Sequence, residues 1–113
     1  MTCALCAIAD DEAPADVMFA DSEVLAIAPL RMMAPVHVLL FPREHFDDLP
    51  VLLRTEPALA GRMMSVADAL ATEKGLGERG YRLSWNYGPD TAQIVLHPHL
   101  HLLGGRALSG SLA

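Results

Sequence analysis

The stretch Ile94-Val95-Leu96-His97-Pro98-His99-Leu100-His101-Leu102-Leu103-Gly104-Gly105 constrains the fold more than any other part of the chain. It sets three of the five histidines two residues apart. Successive side chains of a β-strand point to opposite faces. An extended segment here therefore shows His97, His99 and His101 on one face. It turns Leu96, Leu100 and Leu102, with Pro98 among them, toward a core on the other. A strand of this kind needs a sheet around it, covered on its apolar face and open enough on the other to use three imidazoles.

The rest of the sequence supplies that sheet. Residues 3–9 read as a short helical turn, broken by Asp10-Asp11-Glu12-Ala13-Pro14. Val17–Ala20 and Glu23–Ala28 read as strands joined by the turn pair Asp21-Ser22, and Pro29 ends the second because it cannot donate to a ladder. Val36-His37-Val38-Leu39-Leu40-Phe41 is apolar on both sides apart from His37, the pattern of a central strand. A helix follows, with Thr55 as its cap and Pro57 in its first turn. Leu59, Met63, Val66 and Leu70 form its apolar stripe, read as core packing, and Gly75 follows its last turn. Tyr81–Asn86 is the next strand, with Tyr81, Leu83 and Trp85 on one face and Arg82, Ser84 and Asn86 on the other. Gly88-Pro89-Asp90 is expected to turn the chain into the histidine strand. Strand, strand, strand, long helix, strand, strand predicts an α+β fold with a mostly antiparallel five-stranded sheet and a short N-terminal helix. No internal repeat, linker or low-complexity segment is present, so residues 1–113 are expected to form one domain.

Composition narrows the function. A net charge of −6 with only 8 Lys+Arg lacks the basic surface that nucleic-acid binding requires, though a local site can still hold one small phosphate compound. No apolar run reaches about 18 residues, so no membrane span is expected. Met1-Thr2-Cys3-Ala4-Leu5-Cys6 does not read as a secretory signal, which predicts a cytoplasmic protein. In that setting Cys3 and Cys6, spaced C-x-x-C, suggest metal or redox chemistry before a structural disulfide.

Imidazole serves as nucleophile, acid, base or metal ligand near neutral pH. The first and third histidines of a flat strand stand about 13 Å apart at about 3.3 Å per residue, so the whole row cannot hold one ion. A nucleophilic reading fits better: the middle histidine attacks phosphorus while its neighbours donate to a phosphate oxygen or fix its tautomer.

His97-Pro98-His99-Leu100-His101-Leu102-Leu103 resembles the alternating His-apolar signature of the histidine triad family. Ala34–Pro42 with His45, Gly80-Tyr81-Arg82 with Asn86 and Gln93, and Gly104-Gly105-Arg106 extend the resemblance over nearly the whole chain, toward the Hint-like nucleoside phosphoramidase branch. The resemblance implies a homodimer with joined sheets. It also implies attack on the α-phosphate of a purine nucleoside 5′-phosphoramidate or related mixed anhydride, through a covalent nucleotidyl-histidine. His99 matches the nucleophile and His101 the phosphate contact. His97 and His37 match the supporting histidine network. Asn86 and Gln93 match contacts to phosphate or leaving group, and Ile27 and Leu30 fall where the family lines its nucleoside pocket. Read from the residues alone, the alternatives are that Asn86 shapes the turn, that Gln93 is an exposed strand residue, and that Ile27, Leu30 and His37 are ordinary core. The chain departs from the family at Pro29, where an acidic residue often holds the ribose, at Ile94, where a hydroxyl is common, and at Ala92, where glycine is common.

Two thiolates in C-x-x-C spacing can begin a tetrahedral zinc site that needs two further N or S ligands. By resemblance to zinc-holding histidine triad relatives and to galactose-1-phosphate uridylyltransferases, these are His45 and His97. That implies a structural zinc which divides the row, with His97 facing metal and His99 facing substrate. Two buried thiols without metal, and a redox pair, are the alternatives. At the level of function, the alternatives are a nucleotide-binding regulatory module with little catalysis and a zinc-dependent hydrolase using the row as ligands.

Overall fold

The computed structural model describes residues 3–93 and 95–111. The chain runs α1 (Ala4–Ala9), β1 (Asp16–Ala20), β2 (Val24–Ala28), β3 (Val36–Pro42), α2 (Leu49–Thr55), α3 (Pro57–Glu73), β4 (Tyr81–Trp85) and β5 (Leu100–Gly104), with a 3-10 turn at Pro89–Thr91. The strands form one antiparallel sheet in the order β1-β2-β3-β5-β4. The expected α+β architecture is present, and the apolar Val36–Pro42 segment is the middle strand, as its two-sided pattern required.

Register assigns the two faces. Val38 pairs with Leu102 and Leu40 with Leu100, while Leu83 pairs with Leu102 and Trp85 with Leu100. These residues pack with Met63, Val66, Leu70, Ala60, Ala67 and Ala71 of α3 and Leu52 of α2 into the main core. The helix stripe is core, as expected, widened by alanines that let α3 approach the sheet. The opposite face carries His37, Leu39, Phe41 and His101, with Leu25 and Ile27 beside them. There Leu5 of α1 covers Leu25, Ile27 and Phe41 in a second, smaller core. The imidazoles therefore lie on the face away from α2 and α3.

Local chemistry sets the boundaries. The Asp21 carboxylate accepts from the backbone N–H groups of Glu23 and Val24, both at 2.8 Å, and turns β1 into β2. Arg62 binds the same carboxylate at 2.6 Å, and with those two amides it holds Asp21 down at about 2. At the end of α3, Gly75 has φ +81°, and Leu76 N–H and Gly75 N–H donate to Ala71 and Thr72 carbonyls. This is a Schellman cap, and Leu76 is buried in the core beside it.

Three expectations are corrected. Thr55 does not cap the long helix. It is the last residue of α2, its hydroxyl donating to Val51 O at 2.7 Å, and Glu56 precedes α3 without a side-chain cap bond. The additional helix α2 is capped by Asp48, which accepts from Val51 N–H at 2.9 Å, with Pro50 in its first turn. Gly88-Pro89-Asp90 does not make a tight hairpin: it leads into the 3-10 turn and an irregular return. The histidine strand is accordingly shorter than expected. Only His101 lies on β5; His97 and His99 precede it in irregular backbone, and Leu96 is 60% exposed instead of in the core. Pro98, between the two histidines, has no N–H to give a ladder, and its ring and that of His97 are fully buried.

Candidate active site and metal centre

Two groups of side chains meet at the start of β5. One contains His37, His99 and His101. His37, on β3, is buried. Its Nδ1 accepts the backbone N–H of Met33 at 3.1 Å. A neutral imidazole carries one proton, so the proton of His37 sits on Nε2. That nitrogen lies 3.0 Å from Nδ1 of His101 and donates to it. His101 therefore keeps its own proton on Nε2, the nitrogen turned away from His37. Burial, aided by the neighbouring His99 and His37, pushes His101 down to about 4, and burial also lowers His37. Both rings are neutral at pH 7, as the tautomer chain requires.

His99 is fixed differently. Its Nδ1 donates to the backbone carbonyl of His97 at 2.9 Å, so its Nε2 holds a free lone pair. Its ring centre is 5.2 Å from that of His101. The pair thus combines an unprotonated nitrogen, able to attack, with a neighbouring N–H donor, able to bind an oxyanion.

The second group is Cys3, Cys6, His45 and His97, whose donor atoms all lie within 4.8 Å of one another. His97 Nδ1 is 3.4 Å from Cys3 Sγ, 3.5 Å from Cys6 Sγ and 3.3 Å from His45 Nδ1, and Cys6 Sγ is 3.3 Å from His45 Nδ1. A tetrahedral zinc with bonds of about 2.0–2.1 Å to nitrogen and about 2.3 Å to sulfur places its ligand atoms roughly 3.3–3.8 Å apart. The outer nitrogens are already engaged. His97 Nε2 donates to the Pro42 carbonyl at 2.7 Å, and His45 Nε2 to the Asp47 carboxylate at 3.2 Å. In the neutral rings this leaves both Nδ1 lone pairs, 3.3 Å apart, beside the two thiols and open to a cation. The donor set fits zinc. As a free thiol Cys6 is poorly ionised, since burial and the neighbouring Cys3 push it up to about 11; a bound metal would reverse that by favouring the thiolate.

Cys3 also accepts from Cys6 N–H and so caps α1, which makes this helix a metal-site element as well as a cover for the second core. His97 belongs to both groups. Its ring faces the cysteines and its carbonyl holds His99.

The remaining expected site residues are dispersed. Asn86 follows β4 and is half-buried. Gln93 spans its loop: Oε1 accepts from Gly88 N–H at 2.9 Å and Nε2 donates to Val95 O at 3.0 Å. Ile27 is buried in the second core, whereas Leu30 is fully exposed on the loop before β3. Ile94 lies outside the described residues. Reasoning from residue type missed Met33 and Pro42, because both act through backbone atoms that every position carries. It also missed Asp47, two residues beyond His45, for which a carboxylate next to a candidate ligand was the available signal.

A histidine pair with fixed tautomers, backed by a two-thiol, two-imidazole cluster on an antiparallel α+β sheet, defines an imidazole-centred site on a metal-compatible scaffold. The chain belongs to the histidine triad family: the HIT domain model matches residues 10–108. It is 36% identical over 102 residues to the purine nucleoside phosphoramidase of Escherichia coli K12, covering 90% of this chain and 86% of that protein. Among solved structures it resembles a HIT family hydrolase from Legionella pneumophila Philadelphia 1, with a TM-score of 0.92 and 38% identity over 96% of this chain and 97% of the other. It also resembles a zinc-bound histidine triad family protein from Mycobacterium smegmatis, with a TM-score of 0.81 and 33% identity over 94% and 76% of the two chains.

Proposed function

We propose that this protein is a hydrolase or transferase that cleaves purine nucleoside 5′-phosphoramidates, or related mixed anhydrides, at the α-phosphate. The observation that carries the reading is the His99 Nδ1 to His97 carbonyl bond, which in the neutral ring keeps the proton on Nδ1 and leaves the Nε2 lone pair for use as a base or nucleophile. The relatedness to a purine nucleoside phosphoramidase supports the substrate class.

His99 Nε2 attacks phosphorus. The bond from phosphorus to the amine nitrogen breaks, and the amine leaves with the bonding pair and takes up a proton from water. The nucleotidylated imidazole carries positive charge, so its Nδ1–H bond to the His97 carbonyl strengthens as the charge develops. The Nε2–H of His101 donates to a non-bridging phosphate oxygen. Water then attacks phosphorus, the phosphorus bond to Nε2 breaks, and the nucleoside monophosphate departs as water's proton is lost to solvent. Asn86 and Gln93 border the phosphate and leaving group, and Ile27 and Leu30 the nucleoside. Cys3, Cys6, His45 and His97 hold a structural zinc. The working unit is a cytoplasmic homodimer, each subunit a single domain.

The zinc-dependent hydrolase reading is less favoured, because the metal-type donors take His97 away from the row and leave His99 and His101 outside the cluster. A regulatory nucleotide-binding module remains the competing outcome, motivated by Pro29 at the expected ribose contact and by Ile94 where a hydroxyl is common. One experiment separates them. Incubation with a panel of nucleoside phosphoramidates followed by mass spectrometry should find a nucleotidyl adduct on His99, and His99→Ala should abolish turnover with fold and nucleotide binding retained. Undiminished turnover in that variant refutes the proposal; tight nucleotide binding with negligible turnover across the panel identifies the regulatory module.

A further inference from the structure

The tautomer of His101 is traceable one step further back than His37. β5 ends in Gly104-Gly105. Gly105 has φ +94°, and a Cβ there would stand 3.0 Å from Pro35 Cβ and 3.3 Å from Val36 N. Only a bare backbone with this φ lets the chain cross so closely over the loop that leads into β3. The crossing sets Arg106 above Met33. Its Nη2 donates to the Met33 carbonyl at 3.0 Å, and its Nη1 to the Ala107 carbonyl at 2.9 Å. Two bonds from one planar guanidinium fix its orientation.

Met33 is thereby held through both of its peptide groups. Its carbonyl is bound by Arg106, and its N–H is bound by His37 Nδ1. The residue is otherwise poorly anchored, 67% exposed on an irregular loop. If the Met33 N–H withdraws, nothing in this chain of bonds tells His37 which nitrogen to protonate. His37 and His101 can then flip together, placing the proton of His101 between the two rings and leaving a lone pair where the substrate oxygen would sit.

We propose that Arg106 is a positioning residue. It clamps the Met33 carbonyl, keeps the Met33 N–H on His37 Nδ1, and through His37 holds the proton of His101 on Nε2. The effect on turnover rests on the function proposed above; the effect on the proton does not.

The test uses the full chain as purified, labelled with 15N-histidine, and reads each ring nitrogen by long-range proton–nitrogen NMR. In the unaltered protein His37 and His101 should both show protonated Nε2, and His99 protonated Nδ1. In Arg106→Met, His37 and His101 should move to a mixture of tautomers while His99 keeps its pattern. Arg106→Lys, which retains a single donor nitrogen, should restore the original pattern in part. On an adenosine phosphoramidate, Arg106→Met should lose about tenfold in kcat with KM nearly unchanged, the mark of misplacement without lost binding. Unchanged His37 and His101 signals in Arg106→Met overturn the proposal, as does an equal disturbance of His99, which would signify general loosening. If the unaltered protein turns over no phosphoramidate, the functional reading fails while the tautomer result still decides this one. Should Arg106→Met not fold, amide exchange in the unaltered protein decides. The Met33 N–H must be protected despite its exposed side chain, and exchange at the free-peptide rate overturns the proposal.

Discussion

The His99 ring donates from Nδ1 to the backbone carbonyl of His97 at 2.9 Å, although the two rings serve different groups. The ring of His97 belongs with Cys3, Cys6 and His45, and that of His99 stands beside His101. Whatever fixes the His97 backbone therefore also fixes the direction of the His99 lone pair.

Metal loss should accordingly act at a distance. Cys6→Ser removes one thiolate while sparing Cys3, the cap of α1. We expect zinc bound during expression to fall from one equivalent to well below it, measured by elemental analysis. The main core lies on the other sheet face and contains none of these four side chains. The variant should therefore stay folded, with a lowered Tm, whereas a small zinc finger unfolds outright without its metal. Retention of a full equivalent of zinc in Cys6→Ser would remove the cysteines from the ligand set.

His37→Leu should keep the volume of the β3 side chain and lose its hydrogen bonds. His101 Nδ1 then has no donor, and its proton is free to leave Nε2. Losing one preoriented donor toward a developing oxyanion typically costs about 10²–10³ in kcat. His101 survives in the variant with its preference weakened, so we expect a loss near the lower end, read as the single-turnover rate of adduct formation on His99. Nucleotide affinity should change little. A rate within twofold of the unaltered protein would show that His37 is merely a satisfied core histidine.

Protonation gives a signed expectation for stability. His101 is held at about 4 in the folded protein, against an ordinary value near 6.5. Between those values the unfolded chain binds the proton and the folded chain does not, so stability rises with pH through this window. Acidification from about pH 6.5 toward 4 should therefore destabilise the protein. One proton contributes at most about 1.4 kcal/mol per pH unit, and a ring partly open to water contributes less. His37, also lowered by burial, adds to the same slope. Urea unfolding from pH 7 to 5 should show a steeper fall for the unaltered protein than for His101→Asn. Equal slopes would remove His101 as a contributor.

The order of the strands, the central place of Val36–Pro42 and the packing stripe on α3 were all legible, because period and apolarity report on burial directly. The cysteine and histidine cluster was legible only through family resemblance, since nothing in the spacing of Cys3, Cys6, His45 and His97 specifies that they meet. The path of the histidine segment was misread for a physical reason. Alternation of His97, His99 and His101 suits a strand, but Pro98 interrupts the ladder, and His97 is drawn inward by Pro42 and the thiols. The helix α2 had a signal in Asp48 and Pro50 that the stronger stripe of α3 obscured. The tautomer chain through Met33 was beyond reach, because it depends on a backbone amide whose position only the folded loop defines.

Gln93 offers the sharpest separation of a structural from a functional role. Its family position suggests a contact to phosphate or leaving group, yet both ends of its amide are occupied within the loop, by Gly88 N–H and by the Val95 carbonyl. A side chain so engaged reaches substrate only if it gives up a loop bond. Gln93→Ala removes both bonds, each contributing about 0.5–1.5 kcal/mol. Gln93→Glu keeps the acceptor for Gly88 and loses the donor to Val95. A loop staple predicts that Gln93→Ala lowers stability by about 1–3 kcal/mol in urea unfolding, with Gln93→Glu intermediate and kcat falling in step with stability. A phosphate contact predicts the reverse order in activity, because the added carboxylate repels the substrate anion while the loop keeps its Gly88 bond. Gln93→Glu should then turn over an adenosine phosphoramidate more slowly than Gln93→Ala despite being the more stable of the two. We expect that second pattern, with Gln93 exchanging its Val95 bond for the substrate oxygen on binding; parallel losses in stability and rate would assign Gln93 to the loop alone.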